Sequence, residues 1–304
     1  MACIKYFEII HDIVDPNIDY IARTSEISRL DICKKIREYC EIMRVAWYSN
    51  QNPNIPYHDP LCRLAYLYST VPVNANLVEF VFENDNDIEN YLDSCQSKKG
   101  SVSICVFGGG PGTEILGLAK RIEKRRLDDQ ISLRYVLLDK VTEWQESLIE
   151  IESQIETRLR NKIGKRKDWP LTLTGHSTAL DITDTANFGN FGNIFGKIDV
   201  FILSYVVSEV FDDAIKLQSF LSKMTESAPS GAKFIFIERN EPRWVEKINI
   251  MSDVAKLTLS SEPNHTSNYM SLDEQRTHLG KLLEDVGRSP RTNWNAFWVV
   301  GTKE

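Results

Sequence analysis

The chain of 304 residues is 42% hydrophobic and 26% charged, which is typical of a folded protein with one large domain, or one domain and a smaller appendage. No apolar run approaches the roughly 18 residues of a membrane span, and the N-terminus carries too many charges for a signal peptide. The formal charge of −7 comes from residues 1–97, with 8 Lys and Arg against 15 Asp and Glu, so this third is a poor surface for a nucleic-acid duplex.

The six cysteines are scattered and include no CxxC pair, and the five histidines are not paired at metal-ligand spacing. Zinc and iron–sulfur sites need clustered thiolate or imidazole ligands. We therefore expect no metal site. Unpaired, reduced thiols indicate a cytoplasmic protein.

Residues 1–97 are predicted to form a helical cap. Apolar side chains recur with a helical period over 27–46 and again over 61–71. We expect Pro72 to end the second of these helices and Asn74 to cap the next one. A change of pattern indicates a domain boundary after residue 97.

Strands and helices alternate over residues 98–304, which is typical of a parallel sheet covered on both faces. The segments SPRTNW and AFWVVGTK are expected to form two closing strands, paired as an antiparallel hairpin at the edge. The predicted fold class is α/β: a doubly wound, seven-stranded, mostly parallel sheet with an antiparallel C-terminal hairpin and an N-terminal all-helical cap. The parallel strands are expected at 102–107, 133–139, 171–181, 197–205 and 233–238.

The stretch VFGGGPGTEILG joins the first predicted strand to a helix through Gly108, Gly110 and Gly112. In a doubly wound sheet, ligands bind beyond the carboxyl ends of the strands, and a backbone without Cβ atoms lets a ligand lie against this loop. The following helix presents free N–H groups to a carboxylate or phosphate. Dinucleotide-binding folds need a glycine where Thr113 stands, so the pattern does not fit a dinucleotide.

The G-x-G-x-G run resembles the first motif of the class I S-adenosylmethionine-dependent methyltransferases, a Rossmann-like family, and later positions follow in that family's order. Asp139 matches the acid that binds the ribose hydroxyls. Asp181 matches the polar contact to the adenine, with Asp184 as a rival. IDVFILSYVVSEV resembles the fourth motif, where Ser204 and Tyr205 lie beside the methionine portion of the cofactor.

The resemblance covers residues 98–304 and implies S-adenosylmethionine as the cofactor. An aspartate after a strand is often only a helix cap, so it is the joint order of these positions that favours the functional interpretation. Trp144 could cover the adenine or belong to the core of its helix. The cofactor-binding residues that the resemblance implies are Phe107, Gly108, Gly109, Gly110, Gly112, Asp139, Lys140, Asp181, Ile182, Ser204 and Tyr205.

The acceptor of the methyl group has no such signature. The [DN]-P-P-[YF] tract of the amino-methylating nucleic-acid enzymes is replaced by SYVV. A weaker likeness, SYVVSEVFDD with ERNEPR, is to the mitochondrial small-subunit ribosomal RNA methyltransferase-like group, although the cysteine cluster usual in that group is absent. This likeness supports Ser208, Glu209 and Glu238 at the rim of the pocket. We expect Tyr205 or Glu209 to be the catalytic residue that orients the acceptor.

The acidic cap is also rich in tyrosine, and aromatic rings with nearby carboxylates favour a cationic or amine-bearing acceptor. These tyrosines could equally be helix core, and the cap could be a homodimer surface. The tyrosines of the cap are Tyr48, Tyr57, Tyr66 and Tyr68.

The basic stretches 120–126 and 158–167 could hold RNA phosphates or complement helix dipoles, and the second interpretation is favoured.

The sequence therefore predicts a methyltransferase that transfers a methyl group to a small-molecule or peptide acceptor, an amine or a hydroxyl, in a pocket covered by the cap. No membrane partner is expected. The alternatives are an RNA methyltransferase and a non-catalytic binding module with a methyltransferase fold.

Overall fold

The structure, a computed structural model, describes residues 4–48, 55–125, 131–163, 171–184, 189, 191–210, 214–260 and 262–304. The N-terminal part is helical, as predicted. Among the described helices of the whole chain, none is both long enough and apolar enough to cross a membrane. The helices of the cap are α1 (Tyr6–Ser25), α2 (Arg29–Tyr48), α3 (Pro60–Ser69), α4 (Val71–Asn84) and α5 (Asn86–Lys99).

Two details of the cap differ from the prediction. Pro72 does not end a helix: it lies in the first turn of α4, where a missing N–H group breaks no hydrogen bond, and Asn74 is buried inside that helix. Residues expected to connect the cap to the sheet instead form α5. The Asp85 side chain accepts the Ile88 N–H at 3.1 Å at its start, and Gly100, with a φ of 68°, ends it.

The remaining described elements are strands that alternate with helices. The strands are β1 (Val102–Phe107), β2 (Ile131–Asp139), β3 (Leu171–Ala179), β4 (Val200–Ser204), β5 (Lys233–Arg239), β6 (Leu257–Leu259), β7 (Asn264–Tyr269) and β8 (Asn293–Lys303). The helices are α6 (Thr113–Lys124), α7 (Trp144–Ile163), α8 (Gly192–Phe195), α9 (Val206–Glu209), α10 (Ala214–Ser227), α11 (Pro242–Val254) and α12 (Leu272–Val286).

All the described strands belong to one sheet, in the order β3-β2-β1-β4-β5-β8 with β6 and β7 beyond β8. Strands β1 to β5 pair in parallel, and β8 is antiparallel to each of its neighbours. β6 and β7 pair with different stretches of the same edge of β8, so they share one strand position. The predicted fold class, a seven-stranded, mostly parallel sheet under N-terminal helices, is confirmed.

The antiparallel edge differs in detail from the prediction. SPRTNW and AFWVVGTK were expected to be two strands, but a single strand, β8, runs from Asn293 to Lys303. Its antiparallel outer partners, β6 and β7, lie before α12, in a segment for which no strand was predicted. β7 has the sequence NHTSNY and is largely exposed, so it has no apolar alternation that could indicate a strand.

The cap and the sheet share one hydrophobic core. Ile104 and Val106 of β1 point into a cluster of buried side chains that includes the inner faces of α1, α3 and α4. Cys105 and Phe107 point to the opposite face, into a second cluster with α10 and α11. Because β1 is buried on both faces, the cap takes the place of a covering layer of the sheet. The boundary after residue 97 stays a prediction, since no gap in the core marks it.

Gly117 is the point of closest approach between the cap and α6. A Cβ atom there would lie 2.4 Å from the backbone oxygen of Ala75 in α4. We expect Gly117→Ala to lower the free energy of unfolding by about 2 kcal/mol, because α4 must shift away from α6. Urea denaturation measures this change. In the control Gly192→Ala, the new Cβ meets its nearest atom, Oγ of Ser227, at an ordinary 3.4 Å, and equal losses in both variants would contradict this packing.

The acidic cap pairs with the basic ends of α6 and α7. Arg121 donates to Glu89 at 2.7 Å, and Arg158 donates to Asp12 at 2.7 Å. Arg125 likewise forms an ion pair with Asp93 in α5 at 2.6 Å. The two basic stretches thus complement the excess negative charge of the cap, a role that treating each charge cluster separately did not reveal. The side chains at 126 and 162–167 lie outside the described part of the chain.

Candidate active site

The glycine-rich loop, residues 108–112, joins β1 to α6 at the carboxyl edge of the sheet. Gly112 directly precedes α6 with a φ of 89°, a backbone conformation that L-residues rarely adopt. A Cβ atom on Gly112 would lie 2.6 Å from Cδ1 of Leu148 in α7, and one on Gly110 would lie 3.8 Å from the indole of Trp144. The loop therefore passes close beneath the start of α7.

Asp139 ends β2, the strand next to β1, and it holds the loop in place. The Gly110 N–H donates to its Oδ2 at 2.9 Å, and the Val141 N–H donates to its Oδ1 at 2.8 Å. Burial raises the pKa of Asp139, and these two hydrogen bonds partly oppose that shift. Each carboxylate oxygen has a second lone pair. The Asp139 carboxyl can therefore accept further hydrogen bonds from a ligand on the loop.

The turn after β3 contains the two aspartates considered for adenine binding. Both Asp181 and Asp184 are exposed, whereas Ile182 between them is buried. Partial burial raises the pKa of Asp181, but the Thr183 N–H and hydroxyl, donating at 2.8 and 2.7 Å, shift it to a net lower value. Asp181 is thus an exposed, ionised acceptor. The structure does not distinguish it from Asp184 as an adenine contact, and that assignment stays a prediction.

Lys140 lies near acidic residues that come from three different parts of the chain at this edge. It is exposed, and its positive charge lowers the pKa values of Asp139, Asp181 and Glu209. These carboxylates therefore lie around one common region of the surface. The predicted role of Lys140 in cofactor binding stays a prediction.

Two other residues predicted to bind the cofactor, Phe107 and Gly109, face the core beneath the loop. The Phe107 side chain is fully buried and stacks against Phe201, with ring centroids 6.3 Å apart. A Cβ atom on Gly109 would lie 2.8 Å from Leu137, so Gly109 faces the core. Phe107 and Gly109 can reach a ligand only through backbone atoms, whereas Gly108 is exposed.

The side of the edge predicted to orient the acceptor, called here the acceptor side, is formed by α9, the short helix after β4. Tyr205 precedes α9 in the left-handed conformation, with a φ of 61°, and its N–H donates to Ile237 of β5 at 2.8 Å. The Ser208 N–H donates to Glu238 at 2.9 Å. Glu238 is completely buried. Burial raises the pKa values of Glu209 and Glu238 to about 7.

Four rings from the cap and α7 form an aromatic cluster above this edge: Trp47, Tyr57, Tyr66 and Trp144. The ring centroids of Tyr57 and Tyr66 lie 5.2 and 5.3 Å from that of Trp144. Burial raises the pKa values of both tyrosines, and the negative charge of Glu209 raises them further. Tyr57 and Tyr66 were predicted to belong to the acceptor site.

The other two tyrosines predicted for the acceptor site are not part of this cluster as described. Tyr68 donates to the backbone oxygen of Arg288 at 2.5 Å, and the Tyr48 side chain lies outside the described part of the chain.

Glu114 is a residue of this site that the sequence analysis missed. It lies in the first turn of α6 and is only 5% exposed, and within the described structure its Oε2 atom has no hydrogen-bond partner. Burial raises its pKa to about 8, and the charges of Asp139 and Glu209 add to the shift. A signal was present in the sequence, because Glu114 precedes the apolar Leu118 by four residues, which places both side chains on one face of the helix.

Two arginines connect the cap to the acceptor side. Arg239, at the end of β5, donates to the backbone oxygen of Trp47 in α2. The backbone N–H of Arg291 donates to the backbone oxygen of Ser69 in α3 at 3.2 Å. Burial raises the pKa of Tyr205, and the Arg291 side chain opposes part of this shift. The sequence analysis did not assign these roles, because both depend on contacts with distant parts of the chain.

The raised pKa of Glu114 predicts a pH-dependent stability. Between its unfolded value near 4.5 and its folded value of about 8, the folded state keeps the proton that the unfolded state loses, so stability falls as pH rises. Relative to the wild type, Glu114→Gln should gain about 1–3 kcal/mol of unfolding free energy between pH 5 and pH 8. Urea denaturation at both pH values measures the gain. For the exposed control Glu246→Gln, the difference in unfolding free energy from the wild type should be the same at both pH values. The same result for Glu114→Gln would contradict the burial of an ionisable Glu114.

The sheet is doubly wound, with five parallel strands and the antiparallel β8 beside them. No protein-family profile and no curated protein sequence matches the chain.

Solved structures with a similar fold include three methyltransferases. An O-methyltransferase family protein from Burkholderia thailandensis has a TM-score of 0.43 and 12% identity, over 88% of this chain and 68% of that one. The CurJ carbon methyltransferase has a TM-score of 0.41 and 12% identity, over 95% and 70%. An S-adenosylmethionine-dependent methyltransferase from Methanosarcina mazei has a TM-score of 0.36 and 13% identity, over 72% and 97%.

Proposed function

We propose that this protein is an S-adenosylmethionine-dependent methyltransferase, with the cofactor on the Gly108–Gly112 loop and its ribose hydroxyls on Asp139. The observation that carries the proposal is the 2.9 Å hydrogen bond from the Gly110 N–H to Asp139. It joins the loop after β1 to the acid after β2 at the carboxyl edge, where doubly wound sheets bind their ligands.

The choice of S-adenosylmethionine over a dinucleotide rests on the glycine pattern of the loop. Dinucleotide-binding loops need a glycine at the position of Thr113, the first residue of α6. The loop therefore favours S-adenosylmethionine over NAD.

When bound, S-adenosylmethionine supplies an electrophilic methyl group. The protein's own residues must orient the acceptor, exclude water and remove a proton where the acceptor carries one. Glu209 suits proton removal, because a pKa of about 7 lets its carboxylate accept a proton near neutral pH. The left-handed backbone at Tyr205 fixes the start of α9 and with it the position of Glu209. The aromatic cluster shields this space from solvent.

The acceptor is proposed to be a small molecule or a peptide. The aromatic cluster lies over the acceptor side of the edge, so an acceptor must fit between the cap and α9. An RNA substrate is the alternative, but Arg121, Arg125 and Arg158 of the two basic stretches are paired with acidic residues of the cap. The likeness to the mitochondrial ribosomal RNA group therefore stays a prediction, as do a cytoplasmic location and a homodimer through the cap.

The proposal is tested by transfer of a tritiated methyl group from S-adenosylmethionine to cell extract, separated into small-molecule, peptide and RNA fractions. Wild type should label the first or second fraction. Gly110→Arg should label none, since Gly110 has a φ of 46° and faces Trp144. Label in RNA would support the RNA alternative. Binding of S-adenosylhomocysteine without label in any fraction would support a non-catalytic module.

A further inference from the structure

The acceptor side of the site combines aromatic rings with carboxylates. The ring centroids of Tyr57 and Tyr66 are 5.7 Å apart with the rings nearly perpendicular, and Trp47 lies edge-on to Tyr66 at 6.1 Å. Tyr57, Tyr66 and Trp47 are only partly buried, so part of their surface remains accessible. Ring faces of tryptophan and tyrosine attract cations.

The carboxylates near these rings are not fully compensated. Glu209 is partly exposed, and its charge acts on Tyr57, Tyr66 and Glu114. Glu114 is 5% exposed and keeps one oxygen without a hydrogen-bond partner in the described structure. This unpartnered oxygen is a second observation, independent of the clustered charges, and it points to a missing hydrogen-bond partner.

The positive groups near Glu209 offset only part of the unfavourable environment of its charge. Arg239 and Lys140 both lower the pKa of Glu209, but burial and the charges of Asp139 and Glu238 raise it overall. The Arg239 side chain also donates to the backbone oxygen of Trp47, and Lys140 is exposed on the side proposed for the cofactor. A cationic acceptor would offset the remaining negative charge, and an anionic acceptor would be repelled.

We infer that the acceptor is a positively charged amine, held between the aromatic cluster and Glu209. This inference rests on the proposed function, because it assigns the second substrate of the same site. A protonated amine interacts with the ring faces and donates hydrogen bonds to the carboxylates, which gives it an advantage over a neutral molecule of equal size. The amine would bind in this protonated form and give one proton to the Glu209 carboxylate, which frees the nitrogen lone pair that takes the methyl group.

The test uses tetramethylammonium as the cation and tert-butyl alcohol as a neutral molecule of similar size. The protein is saturated with S-adenosylhomocysteine, whose uncharged sulfur separates the acceptor cation from the sulfonium of the cofactor. Titrations are followed through the indole N–H signals of 15N-tryptophan-labelled protein, assigned with Trp47→Phe and Trp144→Phe. The signals of Trp47 and Trp144 should shift saturably with tetramethylammonium and not with tert-butyl alcohol.

Glu209→Gln should weaken tetramethylammonium binding about tenfold, because the carboxylate charge is removed while the side-chain shape is kept. Glu246→Gln removes an exposed charge of α11 and should leave the affinity unchanged. Equal responses to the two probes, or no response to either, would overturn the inference. If S-adenosylhomocysteine binds and tetramethylammonium does not, the amine inference alone fails. If S-adenosylhomocysteine itself does not bind, the proposed function fails.

Discussion

Asp139→Asn is expected to weaken the binding of S-adenosylhomocysteine about 100-fold. In the wild type, each oxygen of Asp139 accepts one backbone N–H, from Gly110 and from Val141, and offers a remaining lone pair to a ribose hydroxyl. An asparagine has only one acceptor oxygen. The variant must therefore leave one backbone N–H without its partner and loses the charge that strengthens the ribose contact. Isothermal titration calorimetry measures the affinity.

The matched control for this variant is Asp253→Asn in α11, which removes one exposed negative charge far along the chain from the loop. Its affinity for S-adenosylhomocysteine should equal that of the wild type. Circular dichroism should show that both variants fold. An Asp139→Asn variant that binds as tightly as Asp253→Asn would mean that Asp139 only clamps the loop and does not contact the ligand.

Gly112→Ala is expected to disrupt the site most strongly through the backbone. A φ of 89° is strained for alanine, and the added Cβ would lie 2.6 Å from Leu148 in α7. Relief of both effects requires the buried Leu148 side chain to repack and the backbone at the start of α6 to change. We expect a loss of about 3 kcal/mol of unfolding free energy and binding of S-adenosylhomocysteine too weak to detect by calorimetry.

Gly100→Ala separates the two causes. Gly100 has a comparable φ of 68°, but a Cβ atom there meets nothing within 4 Å. This control should lose only the backbone part, about 1 kcal/mol, and keep its affinity for S-adenosylhomocysteine. If both alanine variants lose the same stability and both still bind, the close packing of the loop against α7 would be wrong.

The parts of the fold that could be predicted were those with a strong local pattern. The buried runs of β1, β4 and β5 and the apolar stripe of α6 each identify their element without knowledge of the rest of the chain. β7 could not be predicted, because its polar sequence becomes a strand only by pairing with β8, from Asn264 opposite Trp298 to Tyr269 opposite Asn293. Pro72 was misplaced for a similar reason, since a proline fits both after a helix and inside its first turn.

The same difference between local patterns and long-range contacts applies to the site. The glycine-rich loop and Asp139 were identified because a ligand-binding backbone and the end of an adjacent strand leave local signals. In the structure a hydrogen bond joins the two. Contacts from Trp47 and Tyr66 depend on how the cap packs over the sheet, which no local pattern specifies. The raised pKa of Glu209 likewise depends on burial and on Asp139 and Glu238, from other strands.

The central claim is that the loop between β1 and α6 binds S-adenosylmethionine. Calorimetric titration of the wild type with S-adenosylmethionine, S-adenosylhomocysteine and NAD, and of Gly110→Arg with the same three ligands, tests it most directly. The account predicts micromolar binding of the two sulfur-containing ligands by the wild type, no binding of NAD, and none of the three by the variant. Binding of NAD alone, or sulfur-ligand affinities that Gly110→Arg leaves unchanged, would contradict it.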